Sequence, residues 1–362
     1  MENEIIIKEI KQSNKESIVI IASIIFIIIQ YTIPLNPIMS FILLTLNLAF
    51  IGIIGEYLVD SATKLSLKLE IKLFIIGLVL IPFFSSLPED IITIVANLEE
   101  PELGEIMLAQ ILGNALFELL MIFGIVGFLI CKKGKCMEVE DKERFLFIRN
   151  GLILLVGSIL VFLLIFLDKS LSFMDSIILI VFYGCFVFIV VLSNRLGIED
   201  KMEMPEEYNM EDISGKKEFI KLIIYVLIVG ILGSFFVDNI LFFMDLSDHF
   251  KKFSFIYIGI LVAVPELILS IIGVYKGKEQ LIIGSVIGGT IWDITISISI
   301  QGLINPIEKL STIIVSYFLF VSIVGVIVSL IYIRTHWKLK QWEVIFLIVL
   351  YLVIVVGIMV VI

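Results

Sequence analysis

The sequence predicts an all-α polytopic membrane protein of about eleven spans, built as two inverted five-helix repeats plus one extra N-terminal transmembrane helix. Three observations predict it. The 362 residues are 60% hydrophobic and only 17% charged, with mean hydropathy +1.13, whereas soluble domains run about 45–50% apolar with about a quarter charged. The excess is gathered into stretches of about 18 or more residues, long enough to cross a bilayer as helices, without the alternation of a membrane β-barrel. Third, a Pro-Glu pair inside apolar sequence occurs twice, at Pro88-Glu89 and Pro265-Glu266.

The first apolar stretch, near 17–34, lacks a clear small-residue cleavage site and is followed by many more. It reads as a retained helix rather than a signal peptide. Further spans fall near 38–59, 71–97, 104–131, 147–167, 171–194, 218–244, 253–275, 280–304, 309–333 and 341–362. Connections are short except 132–146 and the charged segment from Arg195 to Lys217. That segment divides the chain into an N-terminal segment with the extra helix (1–37), a first repeat (38–194), a cytoplasmic linker (195–217) and a second repeat (218–362). With the N-terminus in the cytoplasm, all but four of the 26 lysines and arginines face inward, the exceptions being Lys169, Lys251, Lys252 and Lys309. That asymmetry orients the chain as a multi-pass protein of the cell membrane.

Setting the first helix aside leaves five spans on each side of the linker, and an odd number forces the two copies into opposite orientations. Val59-Asp60 aligns with Val237-Asp238, Pro88-Glu89 with Pro265-Glu266, and Gly113 with Gly288. Inverted repeats with polar residues at midplane are the architecture of secondary transporters. Asp60 and Asp238 lie near span ends, where helix-end solvation and a role in ion access explain them equally well.

Carboxylates at membrane depth are costly and mark functional sites. In Ser85-Ser86-Leu87-Pro88-Glu89-Asp90 the proline removes a backbone donor and should break the helix just before it. The carbonyls of Phe84 and Ser85, the hydroxyls of Ser85 and Ser86, and the Glu89 carboxylate then become oxygen ligands, tolerable only where protein or a polar cavity surrounds them. Thr93 follows Glu89 by four residues and Ser270 follows Glu266 likewise. Roughly two dozen residues after each pair come Gly113 with Glu118 and Gly288 with Asp293, in segments whose small residues allow close helix approach. Oxygen-only ligands with several carboxylates suit hard cations, calcium above all. His249 and His336 fall in loops, and Cys131, Cys136 and Cys185 have no zinc or disulfide spacing. A net charge of −10 gives no sign of a nucleic-acid partner. The absence of Gly-x-Gly-Asp, His-Glu-x-x-His and Gly-x-Ser-x-Gly argues against an intramembrane protease, and no enzyme chemistry or cofactor is expected.

These paired motifs resemble the α-repeats of the calcium/cation antiporter superfamily, the sodium/calcium exchangers, whose pattern is roughly G-T-S-L-P-E followed after about twenty residues by G-S-N-I-F-N or G-S-N-I-F-D. Ser85-Ser86-Leu87-Pro88-Glu89 matches closely, and Ile287-Gly288-Gly289-Thr290-Ile291-Trp292-Asp293 moderately, over about residues 45–362. The resemblance implies a secondary antiporter exchanging Ca2+ for Na+ or H+ by alternating access. It makes Glu89 and Glu266 the central calcium ligands, Glu118 and Asp293 the completion of a four-sided site, and Ser85 and Ser86 hydroxyl and carbonyl ligands. The alternative is a channel, or a degenerate homologue that binds the ion without exchanging it; the oligomeric state stays open.

The chain departs from that pattern. Val262-Ala263 stands where Thr-Ser is usual, Asn114 and Gly289 where serine is usual, and Glu118 where asparagine is common. Four carboxylates around one calcium leave a charge of about −2 in a low-dielectric cavity, an expensive excess. One or two protons would relieve it, which favours proton involvement over plain sodium coupling. Glu118→Asn should therefore keep calcium binding and flatten the pH dependence of exchange in a vesicle flux assay. An unchanged pH profile removes Glu118 from that role.

Overall fold

The computed structural model describes residues 2–33, 36–69, 75–86, 104–133, 144–195, 213–244, 263–335 and 340–361, with short pieces at 90, 93–94, 97–98, 101 and 259–260. Among these residues the backbone is almost entirely helical, and an isolated antiparallel bridge pairs Leu171 with Ile307. The helices are α1 (Glu2–Thr32), α2 (Pro37–Leu69), α3 (Ile81–Ser85), α4 (Gly104–Phe117), α5 (Phe123–Lys132), α6 (Arg144–Asp168), α7 (Phe173–Arg195), α8 (Gly215–Met244), α9 (Val264–Tyr275), α10 (Glu279–Trp292), α11 (Ile298–Ile304), α12 (Thr312–Thr335) and α13 (Gln341–Val361). Single π-helical turns at Ile76–Leu80, Glu118–Ile122 and Asp293–Ser297 lead into α3, α5 and α11.

Eight of the described helical runs are long and apolar enough to cross a membrane, and Val264–Tyr275 and Gln341–Gly357 are shorter apolar helices. Burial separates centre from rim. The run Glu279–Ile304 is 89% buried and Gly104–Lys132 72% buried, against 22% for the span in α1. The two glycine-bearing segments thus form the inside of the bundle. The rim helix α7 leaves Ile177, Val181 and Phe188 exposed, which suits lipid contact as apolar side chains lose nothing there.

Two apolar cores flank this centre. One joins α2 and α8 through Leu58, Val59, Leu222, Tyr225 and Leu232; the other joins α4–α7 with α10–α13 around Leu120, Phe123, Ile291 and Phe318. Glycine sets how closely the centre packs. A Cβ on Gly77 would overlap the Leu281 carbonyl, and one on Gly288 would overlap the Leu78 carbonyl. One glycine on each of the two packed segments therefore lets the backbone before α3 lie directly on α10.

The extra helix α1 is fastened by polar contacts. Gln30 and Asn47 exchange two amide hydrogen bonds at 3.0 and 2.8 Å. Lys221 of α8 pairs with Glu16 at 2.6 Å and with Glu218 at 3.4 Å.

One detail corrects the sequence reading and two go beyond it. The second span was expected to end at 59, yet α2 continues to Leu69 because Ala62, Leu65 and Leu67 remain buried while Lys68 reaches outward. Asp60 pairs with Lys276 at 2.8 Å, whereas its sequence counterpart Asp238 is exposed. Glu105 accepts the Ser311 N–H at 2.6 Å just ahead of α12; helix N-termini leave such donors unsatisfied and attract carboxylates.

The glycine contact makes a prediction. Gly288→Ala should lower the thermal unfolding midpoint of the detergent-solubilised protein, by the equivalent of about 1–3 kcal/mol for overpacking. Gly52→Ala, with nothing within 4 Å of its Cβ position, should not. Equal midpoints for the two variants would remove the close crossing.

Candidate functional site

One described helix ends three residues before the first Pro-Glu motif, and another begins one residue before the second. α3 ends at Ser85, where the Ser86 N–H closes on the Pro82 carbonyl at 3.0 Å, and the Asp90 N–H closes on the Ser86 carbonyl at 2.9 Å. Leu87, Pro88 and Glu89 lie outside the described residues, as does Val262. In the other copy α9 begins at Val264 with Pro265 in its first turn, and the Leu267 N–H closes that turn on the Ala263 carbonyl at 2.9 Å. Proline is at home there because its missing N–H would be unpaired anyway. Glu266 also sits in this first turn, where backbone N–H groups favour an anion.

The second motif has its own backbone signature. Glu118 and Asp293 each open a π-helical turn, a distortion common at functional sites. It inserts an extra residue into an otherwise regular helix and turns the following side chains. The acids themselves are deeply buried: Glu118 is 0% and Asp293 2% exposed.

The described site residues meet across the two halves. Ser85 Oγ donates to Glu266 Oε1 at 2.9 Å. Asn114 Nδ2 donates to Asp293 Oδ2 at 2.8 Å, and Thr290 Oγ1 to Glu118 Oε2 at 3.0 Å. The Glu118 carboxyl also reaches that of Glu266, and Asp293 faces both. The hydrogen bonds to these acids run in pairs, and although the three acids lie near one another, among the described residues no three acid, histidine or cysteine side chains are arranged to hold a metal ion. Three oxygens are left over. Ser86 Oγ, Asn114 Oδ1 and Glu118 Oε1 are buried with no hydrogen-bond partner among the described residues. Such orphans require an explanation, and acceptor oxygens are what a hard cation takes.

A small cavity opens beside Ser85 and Glu266, with Ser270 and Ser285 as its other polar lining and Leu58, Val59, Ile81, Leu269, Leu281 and Ile282 as its apolar wall. Ser270 thus lies where its four-residue spacing from Glu266 places it.

Sequence reasoning missed several partners. Asp90, 4% exposed, accepts the indole N–H of Trp292 at 3.0 Å and a hydrogen bond from Ser297. Trp292 also packs edge-on against Phe83 and Tyr183, so it is a packing residue with a polar task. From Asp90 a polar seam continues through Thr93 to Asn97, whose amide exchanges hydrogen bonds with Gln301 at 2.5 and 2.9 Å. Asn305 closes the seam on Asn97 at 3.0 Å and on the Pro101 carbonyl at 2.7 Å. The signal was available: Asp90, Thr93 and Asn97 share a helix face, as do Asp293, Ser297 and Gln301.

Interrupted helices, buried acids and lipid-facing rims define a polytopic membrane transporter, a secondary transporter rather than an enzyme. The profile of the sodium/calcium exchanger protein family matches residues 39–192 and 217–360, so the chain belongs to that family. It is 23% identical to the sodium/calcium exchanger MaX1 of Methanosarcina acetivorans over 355 residues, covering 86% of this chain and 96% of the relative. It is 27% identical to the inner membrane protein YrbG of Escherichia coli over 278 residues, covering 74% and 80%. Its fold matches the sodium-calcium exchanger NCX_Mj soaked with Na+ and Sr2+, with TM-score 0.69 at 19% identity, covering 88% of this chain and 97% of that one. The expected inverted repeat is consistent with that fold, and α1 precedes the matched region.

Trp292→Phe keeps a ring against Phe83 and Tyr183 but removes the donor to buried Asp90. It should destabilise the protein by about 1–3 kcal/mol, the cost of an unpaired buried acceptor, read as a lower unfolding midpoint. Asp90→Asn should then lose less in the Trp292→Phe background than in the parent.

Proposed function

We propose that this chain is an antiporter that exchanges Ca2+ for Na+ or H+ by alternating access, with Glu89, Glu266, Asp293, Glu118, Ser85 and Ser86 as the cation ligands. The observation that carries the reading is the set of buried oxygens on Ser86, Asn114 and Glu118 that have no hydrogen-bond partner among the described residues, together with the Ser85–Glu266 pair. Donors are scarce there and oxygens plentiful, the inverse of an anion site. A cation is the simplest neutralising partner for them. Membership of the sodium/calcium exchanger family and the name of the archaeal relative support calcium as the divalent ion. The lysine and arginine distribution supports a cell-membrane location with the N-terminus in the cytoplasm, and the segments 38–194 and 218–362 as the two repeats.

Alternating access needs an interrupted helix that can rearrange around a fixed site. The ends at Ser85 and Val264 supply one such interruption on each side. Each repeat contributes a helix end, with Ser85 on one side and Glu266 on the other, and a helix that runs into a π turn at Glu118 or Asp293. The cation is then held between four elements that need not move as one body.

Radiocalcium uptake into proteoliposomes tests this directly. Uptake that requires an outward sodium or proton gradient is expected, and the effective gradient identifies the counter-ion. Uptake down a calcium gradient alone would mean a channel, and binding without flux a degenerate homologue. Glu89→Gln and Glu266→Gln should each abolish transport, because calcium requires several charged or strongly polar oxygens. Retained uptake in either variant would remove that residue from the ligand set.

A further inference from the structure

The two second-motif helices are related by a constant offset, so Gly113, Asn114, Ala115 and Glu118 correspond to Gly288, Gly289, Thr290 and Asp293. Across the interface each acid faces the residue just after the motif glycine of the other helix. Asp293, the shorter acid, meets the long amide of Asn114 at 2.8 Å. Glu118, the longer acid, meets Gly289, where a Cβ would lie 2.7 Å from Oε1 and 2.9 Å from Oε2. The donor has moved by one position as well. Thr290 supplies the hydrogen bond that Glu118 receives, and its counterpart Ala115 has no hydroxyl to give. Side-chain length is thus traded between the two faces: a long amide opposite the short acid, a glycine opposite the long one.

We infer that Gly289 is a positioning residue for the Glu118 carboxylate: its missing side chain is the space the carboxylate occupies, and the acid at 118 and the size of residue 289 form one coupled unit. This rests on the antiporter reading, in which Glu118 is a cation ligand. The two glycines of α10 then have different tasks. Gly288 abuts the Leu78 main chain, which cannot give way. Gly289 abuts the end of a side chain, so an added methyl group displaces the carboxylate rather than the helix. The displaced group would leave its Thr290 hydrogen bond and carry its unpartnered Oε1 away from Glu266. A substitution at 289 therefore acts on the site through Glu118 and leaves the fold in place.

The test is a cycle of Gly289→Ala, Glu118→Asp and the double variant in the full chain, read as calcium-dependent uptake into proteoliposomes. Aspartate withdraws the carboxylate by one carbon–carbon bond, about 1.5 Å, which is the room a Cβ needs. Each single variant should raise the apparent KM for calcium by about tenfold with a smaller change in kcat, and the double variant should return to within about threefold of the parent, since contacting residues are not additive. A double variant as impaired as the product of the singles overturns the inference, as does a Gly289→Ala protein with the parental KM. If Gly289→Ala cannot be recovered folded, recovery of the double variant supports the coupling, and failure of both overturns it. If the parent takes up no calcium under either gradient, the antiporter reading fails by itself. The same cycle read from thermal unfolding midpoints then decides the coupling, with additive shifts counting against it.

Discussion

An ionised carboxylate taken out of water must find positive charge, hydrogen-bond donors or a way back to solvent. In this bundle Glu118, Asp293 and Asp90 are all nearly inaccessible, and the structure around them reads as a response to that constraint. Helices α3 and α9 end or begin where main-chain groups and serine hydroxyls are wanted. The π turns at Glu118 and Asp293 redirect side chains inward. Donors arrive from the opposite half: Asn114, Thr290 and Trp292 each give one hydrogen bond to one acid. Among the described residues the provision is incomplete, and in the proposed function the oxygens left without donors are the ones a cation would use. A fully satisfied polar centre would bind nothing, and a wholly unsatisfied one would not fold.

The sequence revealed the repeat because it is written in residue types with few bland uses inside a membrane. Proline followed by glutamate, twice, with matching glycines and acids downstream, identifies elements and the side chains that matter. What it could not reveal was the partner of each acid. Thr290 and Asn114 occupy successive motif positions that do not correspond, so alignment of the two halves hides the exchange of donors between them. The polar task of Trp292 was hidden because an indole N–H is invisible in a hydrophobic pattern. The tail of α2 beyond Asp60 was missed for a related reason, since Lys64 and Lys68 break the apolar run although the helix beneath them stays buried. Pattern reports which residues are unusual; geometry reports what each one touches.

The two halves share a plan and differ in its execution. Asp60 is tied to Lys276, and Asp238 is exposed; one acid is short with a long neighbour, the other long with none. Under the alternating-access proposal, such differences break the equivalence an exact two-fold would impose on the inward- and outward-open states. A transporter whose halves were identical would have states of equal energy when empty. Unequal pairings at equivalent positions allow one state to be favoured before any ion gradient is applied.

The anchoring of α1 bears on how the chain is made. Glu16 finds its cation on Lys221, about two hundred residues further along. At about 5–20 residues per second, roughly 10–40 seconds of translation separate the two. Through that interval the first helix has its amide grip on Asn47 but no partner for its carboxylate, which must stay hydrated at the membrane boundary. The seat of α1 is thus completed only when α8 arrives, after several helices that follow α1 in the chain.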